Sequence, residues 1–328
     1  MMRKRNIIAV ILLACFASAG AVVFVTYQGT DSEAATSTSI RLKWLDQAQF
    51  AGYYWAEQED LYKDKGLDVS LFPGGPDISP MQMVVNGTND FGVIGADQLL
   101  LAREKGLPVV AVAVIYQDTS VSFASLKKSD IKSPADLEGK KVAIAYGRDE
   151  EVVYKAMLEN VGVERNSIEE SPLNPGLSQL VSGTVDSQMV YETNEPVLFR
   201  QEGHEVDLIK ARDYGVNFYA DTLFTTEKMI EENPELVAKV VEATITGWEK
   251  SFADTSRAAE ITKLQNKNLD VEVQKRSLEL SKPLIFNDGN IGISEVERWQ
   301  EMEDILISQG VMKKKVDLTT VFTNEFLE

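Results

Sequence analysis

The sequence predicts an α/β protein of two lobes, with the second lobe inserted into the first. Short apolar strands alternate with amphipathic helices over residues 40–115, and the alternation resumes over residues 142–209. After residue 221 the pattern changes, and a last strand is followed almost entirely by helices. An uncharged apolar run, residues 7–27, precedes both lobes. We therefore predict an N-terminal export segment ahead of a discontinuous first lobe and a continuous second lobe.

The first half of the chain has the alternating strands, helices and turns of βαβ units. Strands are predicted at 40–44, 67–72, 91–94 and 109–115, with helices at 50–65, 81–85 and 98–105. Gly66 and Gly106 follow helical segments as C-cap residues, and Pro, Gly and Asp at 73–77 form a loop. Every residue of 109–115 is apolar, which suits a strand buried on both faces. This alternation predicts a parallel, doubly wound sheet.

The second half repeats the pattern before the helices take over. Strands are predicted at 142–145, 187–191, 206–209 and 222–225, and helices at 150–160, 177–182, 195–202, 234–252, 256–267, 271–281 and 294–309. The predicted segments are an export signal or anchor with its linker (1–37), lobe 1 (38–120 and 222–328) and lobe 2 (121–221). The chain then crosses between the lobes twice, near 116–123 and 219–223. Two crossings form a hinge, and strand-end loops line the cleft.

Composition excludes several classes of function. There are 33 Lys and Arg against 51 Asp and Glu, a formal net charge of −18, which disfavours binding to nucleic acid. One cysteine cannot form an intrachain disulfide or a multi-thiolate metal site, and one histidine excludes two-histidine zinc motifs. No phosphate-binding glycine motif or nucleophile elbow occurs in the chain. We expect no metal, no cofactor and no catalytic residue.

Residues 7–27 are long enough to cross a membrane, because a helix of that length spans about 31 Å. Basic residues at 3–5 would hold its N-terminal end in the cytoplasm. Two alternatives stay open. Residues 17–19 (Ala-Ser-Ala) match a signal-peptidase site, and residues 12–15 resemble the lipobox of bacterial lipoproteins, which would lipidate Cys15. All three predict an extracytoplasmic protein, and we expect it to remain anchored at the membrane.

Several motifs resemble one group of solute-binding proteins of ABC transporters. The opening, residues 44–54 (WLDQAQFAGYY), is followed by Gly-Leu-Asp-Val at 66–69. Further matching segments are 73–75, 90–93, 107–110, 136–140, 194–196 and 233–235. This is the family of sulfonate, nitrate and thiamine-pyrimidine-precursor binders, and the resemblance covers essentially residues 40–310. The opening is most similar to the vitamin-related branch, which carries pyrimidine precursors of thiamine or riboflavin.

The resemblance implies a type II periplasmic-binding-protein (Venus-flytrap) fold and a monomer that delivers a small solute to an ABC permease in the membrane. The implied solute is a small planar heterocycle, similar to a thiamine pyrimidine precursor, captured by lobe closure. Riboflavin, a sulfonate or nitrate is the alternative within this fold. The alternative from another class is an enzyme similar to the pyrimidine synthase of thiamine biosynthesis, which requires an active-site histidine and a cysteine cluster. Here Cys15 lies in the export segment and His204 lies far from the expected cleft.

Aromatic and amide side chains at the strand ends predict the ligand site. Flat rings stack on a planar heterocycle, and amides either donate or accept hydrogen bonds. The candidates of these two kinds are Trp44, Gln47, Gln49, Tyr53, Tyr116, Asn194, Asn217 and Tyr219. The same loops also carry Tyr146, Tyr191 and Tyr214. For Trp44, a position in the core is an equal alternative.

Three acidic residues and one glycine complete the predicted site. Glu192 follows a strand and would accept from an aminopyrimidine, a role that the resemblance implies for a glutamate of the second lobe. Asp77 and Asp97 are ligand contacts or helix caps. Gly147, at a helix start with Arg148, would present backbone amides to an anionic group, or would simply form a strand–helix turn.

Overall fold

The computed structural model describes residues 35–286 and 290–327. The predicted export segment, with Cys15 and the three alternatives for it, lies outside these residues. Within the described part of the chain, no helix has both the length and the apolar character needed to span a bilayer. The described residues form one compact unit.

The α/β class is confirmed. The strands are β1 (Thr36–Arg41), β2 (Leu67–Phe72), β3 (Phe91–Gly95), β4 (Val109–Val114), β5 (Val121–Leu126), β6 (Lys141–Ile144), β7 (Glu169–Pro172), β8 (Ser187–Tyr191), β9 (Val206–Lys210) and β10 (Asp221–Thr226). The helices are α1 (Ala51–Gln58), α2 (Leu61–Asp64), α3 (Pro80–Val85), α4 (Ala96–Glu104), α5 (Asp149–Val161), α6 (Ser178–Val181), α7 (Glu195–Gln201), α8 (Glu227–Glu232), α9 (Pro234–Ala253), α10 (Thr255–Gln265), α11 (Val271–Ile285) and α12 (Val296–Ser308).

Within residues 35–286 and 290–327, the strands form two five-stranded sheets, in the orders β2-β1-β3-β10-β4 and β7-β6-β8-β5-β9. The first sheet draws its strands from residues 36–114 and 221–226, and the second from residues 121–210. The chain passes between the sheets over residues 115–120 and again over residues 211–220. The predicted lobe boundaries, residues 38–120 with 222–328 for lobe 1 and 121–221 for lobe 2, stay a prediction.

Both sheets are mixed, so the prediction of a purely parallel sheet is wrong. In the first sheet, β10 runs antiparallel to β3 and β4. In the second, β5 runs antiparallel to β8 and β9. Each of these strands enters its sheet directly from the other sheet, without the crossover helix that makes neighbouring strands parallel. Their direction is therefore set by the inter-sheet connections.

Three local predictions also need correction. The helix predicted over residues 50–65 is broken into α1 and α2, and Asp60 between them has a left-handed φ of 57°. Strand β5 was absent from the prediction because its two serines obscure an apolar pattern, although the strand is almost wholly buried. Strand β7 was absent because its sequence, Glu-Glu-Ser-Pro, is polar throughout and lies at a sheet edge.

The first sheet is covered by helices that pack around Trp248 of α9. This indole is fully buried and lies edge-on to Tyr53 and Tyr116, with centroid distances of 6.1 Å to each. A Cβ atom on Gly52 would overlap the indole, so α1 approaches α9 only because this residue has no side chain. Tyr53, a predicted ligand contact, is therefore buried in the hydrophobic core.

Arg298, on the first turn of α12, contacts both connections between the sheets. Its Nη2 donates to Asp118 Oδ1 at 2.8 Å and to the carbonyl oxygen of Asn217 at 3.2 Å, and it also donates to the carbonyl oxygen of Gln117. The guanidinium carbon lies 4.2 Å from the ring centroid of Tyr219. One side chain therefore holds the two connections side by side.

Replacing Arg298 with methionine should lower the free energy of unfolding by about 2 kcal/mol, because charge-assisted hydrogen bonds to both connections are lost while the aliphatic stem is retained. Urea denaturation measures the change. Arg276→Met is the matched control, since Arg276 is half exposed and pairs with Glu279 within one helix; it should change stability by less than about 0.5 kcal/mol. Equal effects of the two substitutions would contradict this account of Arg298.

Candidate ligand-binding cavity

A cavity of about 40 Å³ lies where the two sheets face each other. That volume holds on the order of two or three water molecules. Side chains from both sheets and from both connections line it: Lys43, Gln47, Ala48, Gln49, Asp97, Tyr116, Thr119, Ser120, Val121, Asp149, Val153, Tyr191, Thr193, Asn194, Phe218, Tyr219, Ala220, Asp221, Gln274, Ser277 and Ser281.

The carboxyl ends of the strands place the charged residues of the cavity. Lys43 follows β1, Asp97 follows β3 in the first turn of α4, and Asp149 opens α5 after β6. Asp221 is the first residue of β10, which runs antiparallel to its neighbours and so begins at the same edge. The edge of an open α/β sheet where the strands end is the usual place for a ligand to bind.

These four residues are here called the Lys43 cluster: Lys43 pairs with Asp149 and Asp221, and the charges of Asp149 and Lys43 both act on Asp97. Lys43 Nζ lies 2.9 Å from Asp149 Oδ2 and 3.4 Å from Asp221 Oδ1, so its ammonium joins the first sheet to α5 of the second. A Cβ atom on Gly95 would lie 2.5 Å from Asp97 Oδ1, 3.1 Å from Asp149 Oδ2 and 3.7 Å from Lys43 Nζ. A glycine at this position therefore makes room for the cluster.

Burial and mutual repulsion determine the protonation of the carboxylates. Burial, together with the charge of Asp149, raises the pKa of Asp97 to about 7, and burial also raises the pKa of Asp221. Burial opposes ionisation of Asp149 as well, but Lys43 holds its pKa below the ordinary value. Next to the cluster, burial and Asp149 raise the pKa of Glu150 to about 8, and Glu150 accepts from Tyr191 Oη at 2.6 Å.

The remaining walls supply hydroxyl and amide groups. Gln49 Nε2 donates to Asp221 Oδ2 at 2.5 Å, and Tyr116 Oη donates to Ser281 Oγ at 3.2 Å. On α11, Gln274 Oε1 accepts from the backbone amide of Ala48 at 2.7 Å. Ser277 Oγ is buried and has no hydrogen-bond partner among the described residues. The cavity lining therefore combines carboxylate acceptors with a hydroxyl on α11.

Six of the twelve predicted ligand contacts line the cavity: Gln47, Gln49, Asp97, Tyr116, Asn194 and Tyr219. The structure brings them together from five places in the chain. Their role in binding stays a prediction.

The other six lie elsewhere. Tyr53 is in the core. Strand β1 ends before Trp44, which is half-buried beneath Arg148, with 5.3 Å from the guanidinium carbon to its ring centroid. Asp77 is exposed and caps no helix, since Ser79 accepts from the first turn of α3 instead.

Gly147, Glu192 and Asn217 also lie outside the cavity lining. The Gly147 amide donates to Glu151 Oε2 at 2.8 Å, so a carboxylate already takes the place predicted for an anionic ligand group. Glu192 pairs with Lys210 at 3.0 Å and with Arg212. Asn217 is exposed.

The sequence prediction missed Lys43, Asp221, Gln274 and Ser277, and it treated Asp149 only as a helix-start residue. Charged residues beside strands resemble solvated strand ends, so composition gave no signal for the first two. The polar residues of α11 offered one: 274, 277 and 281 recur at helical spacing on a single face.

The class of fold is identified by similarity to a solved structure. The fold is similar to that of the periplasmic aliphatic sulphonate-binding protein SsuA from Escherichia coli, with a TM-score of 0.72, 18% identity, and coverage of 87% of this chain and 91% of that one. This is the periplasmic-binding-protein fold.

The family follows from the sequence. Residues 47–258 match the model described as "NMT1/THI5 like", and the chain belongs to that family. It is 27% identical over 302 residues to the riboflavin-binding protein RibY of Chloroflexus aurantiacus, covering 88% of this chain and 85% of that protein. It is also 27% identical over 308 residues to the formylaminopyrimidine-binding protein of Halalkalibacterium halodurans, covering 91% and 93%.

Asp97→Asn should flatten the dependence of stability on pH. A carboxyl whose pKa is raised in the folded state binds its proton more tightly there, so it stabilises the fold at low pH. That contribution is lost as pH rises from about 4 to about 7, at a limiting slope of about 1.4 kcal/mol per pH unit. Urea unfolding at a series of pH values measures the slope for wild type and variant.

Asp77→Asn is the control for this experiment, because Asp77 is exposed. Glu150 and Asp221 titrate in the same direction, so Asp97→Asn should reduce the slope without abolishing it. If wild type and Asp97→Asn lose stability in parallel between pH 4 and 7, the account of Asp97 is wrong.

Proposed function

We propose that the protein is the substrate-binding component of an ABC importer. In this proposal it acts outside the cytoplasm as a monomer and passes its solute to a permease in the membrane. The supporting observation is the cavity at the facing edges of two sheets that are joined by two connections, which is the geometry of a receptor that closes on its ligand. The named relatives, both of them binding proteins, support a binding function over an enzymatic one.

The proposed solute is a small planar heterocycle with hydrogen-bond donors. Tyr116, Tyr191 and Tyr219 supply aromatic surface at the cavity, and Gln49 and Asn194 supply amides. The carboxylates of the Lys43 cluster only accept hydrogen bonds when ionised, so they favour a solute that donates. The names of the two relatives, which refer to riboflavin and to formylaminopyrimidine, support a vitamin-related heterocycle.

The proposed mode of capture is closure of two lobes, residues 38–120 with 222–328 and residues 121–221. Pockets for small molecules usually measure about 300–1,000 Å³, so a cavity of about 40 Å³ must enlarge to accept a ring. Separation of the lobes about the connections at 115–120 and 211–220 would provide that volume. Closure would then bury the solute between loops of both sheets.

A sulfonate or nitrate is the weaker alternative. Its support is the similarity of fold to SsuA, which at 18% identity concerns architecture. An anion would meet Asp97, Asp149 and Asp221 with one lysine among them, and the chain as a whole carries a formal charge of −18. Both features disfavour capture of an anion.

Retention at the membrane, through residues 7–27 or through a lipidated Cys15, belongs to the same proposal. Fractionation of cells that express wild type and Cys15→Ser distinguishes the routes. A lipid anchor predicts release of the variant, and a spanning helix predicts that both remain. A soluble wild type that lacks residues 1–19 would show signal cleavage instead.

Calorimetric titration of the full-length protein in detergent should detect one heterocycle with a dissociation constant in the micromolar range or tighter, equivalent to about −8 kcal/mol. The probes are 4-amino-5-hydroxymethyl-2-methylpyrimidine, formylaminopyrimidine, thiamine, riboflavin, taurine and nitrate. Binding of taurine or nitrate alone would refute the heterocycle proposal. Binding of none of the six would refute the proposed solute class altogether.

Asn194→Ala should weaken binding of that heterocycle about fivefold, the effect of one lost hydrogen bond of about 1 kcal/mol. Asn194 lines the cavity, whereas Asn217 is exposed outside it. Asn217→Ala is therefore the matched control and should bind like wild type. Equal affinities for all three proteins would place the site elsewhere.

A further inference from the structure

The cavity lining contains a concentrated negative charge and a cation that belongs to the chain itself. Asp149 and Asp221 pair with a single ammonium and Asp97 lies near them, so the Lys43 cluster has a formal charge of −2 when all four groups are ionised. Burial opposes the charge of Lys43, yet Asp149, Tyr191 and Asp221 raise its pKa well above the ordinary value. The carboxylates thus hold a positive charge at this position.

The position of the Lys43 ammonium is also a place where a solute would bind. Lys43 lines the cavity together with all three aspartates, and its side chain takes up part of the space between the sheets. Ser277 of α11 lines the same cavity, and its buried hydroxyl has no hydrogen-bond partner among the described residues. An unpaired buried hydroxyl costs free energy unless another group satisfies it.

The ammonium of Lys43 is able to move out of the cavity. Lys43 lies outside regular secondary structure, in the segment after β1, and its side chain is 15% exposed to solvent. Lysine has a flexible four-carbon stem, so its ammonium can reach solvent without movement of the backbone. Its departure would leave the three carboxylates facing the cavity and would enlarge it.

We propose that Lys43 is a built-in counterion of the site, and that an amidine-like or ammonium group of the solute replaces its ammonium between the three aspartates. This inference rests on the proposed function and specifies the solute class further. The N–C–NH₂ edge of a 4-aminopyrimidine provides such a group: the amine donates, and the adjacent ring nitrogen takes up a proton beside carboxylates. Ion pairs of this planar geometry are strong because two parallel hydrogen bonds form.

The candidate solutes differ in the affinity expected for the three carboxylates. An aminopyrimidine carries the donating edge, whereas the pyrimidine end of the riboflavin ring system offers carbonyl acceptors on either side of one N–H. Carbonyl oxygens would face carboxylates and repel them. A nitrate or a simple alkanesulfonate has no donor at all. Solutes with an amino-substituted ring are therefore preferred, followed by flavins and then by anions.

The test compares 4-amino-2-methylpyrimidine with its 4-oxo counterpart, by calorimetry on the full-length protein. Wild type should bind the amino compound at least about tenfold more tightly than the oxo compound. Lys43→Met should bind the amino compound about tenfold more tightly still, because the competing ammonium is gone, and should bind the oxo compound no better. Lys105→Met, at an exposed position away from the cavity, should match wild type.

Lys43→Met leaves Asp149 without its lysine partner and for that reason requires a second variant. Lys43→Met/Asp149→Asn removes one positive and one negative charge together, so the formal charge of the cluster stays at −2. It should show the same preference for the amino compound and the same tightening relative to wild type. This result would hold even if the single variant fails to fold.

Equal binding of the two pyrimidines, or weaker binding of the amino compound by both variants, would overturn the inference. In the second case the Lys43–Asp149 pair would instead hold the two halves of the protein around the solute. Binding of riboflavin without either pyrimidine would overturn the inference and leave the heterocycle receptor intact. Binding of nitrate alone would overturn both.

Discussion

The contact of Lys43 with Asp149 and Asp221 is the interaction that joins the two sheets at the cavity. It connects the segment after β1, the start of α5 and the start of β10, which belong to different parts of the chain and to both sheets. Removing water from charged groups is costly, and the cost is recovered only when the partners are close and well placed. Gly95 makes that geometry possible by leaving space beside Asp97 and Asp149. The site and the alignment of the two sheets are therefore products of the same contact.

Much of the fold can be predicted from local pattern. Strands 67–72 and 187–191 have the predicted bounds, and the long helix α9 differs by a single residue at its end. The directions of β5 and β10 could not be predicted in this way. Each strand joins its sheet from the other sheet, and no residue within a strand records which way the chain arrives.

The site was only half predictable, for a physical reason that differs from residue to residue. A large aromatic ring gains free energy by burial in the core, and Tyr53 of α1 is buried there against Trp248. Glu192 is acidic and close to the cavity in sequence, but two cations outside the cavity neutralise it. Lys43 and Asp221 were overlooked because a charge beside a strand is ordinarily solvated, and only the tertiary structure brings these two together.

The place of β10 in the first sheet has a consequence for synthesis of the chain. It lies between β3 and β4, so these two strands are joined only through a segment that follows more than a hundred residues later. The second sheet, by contrast, is built from one uninterrupted stretch. As the chain emerges from its N-terminus, β1 to β4 must wait with an open gap while the second sheet can already be complete. The half of the protein that is made first is therefore the last to be finished, and its unpaired edges need protection from aggregation until residue 226 has appeared.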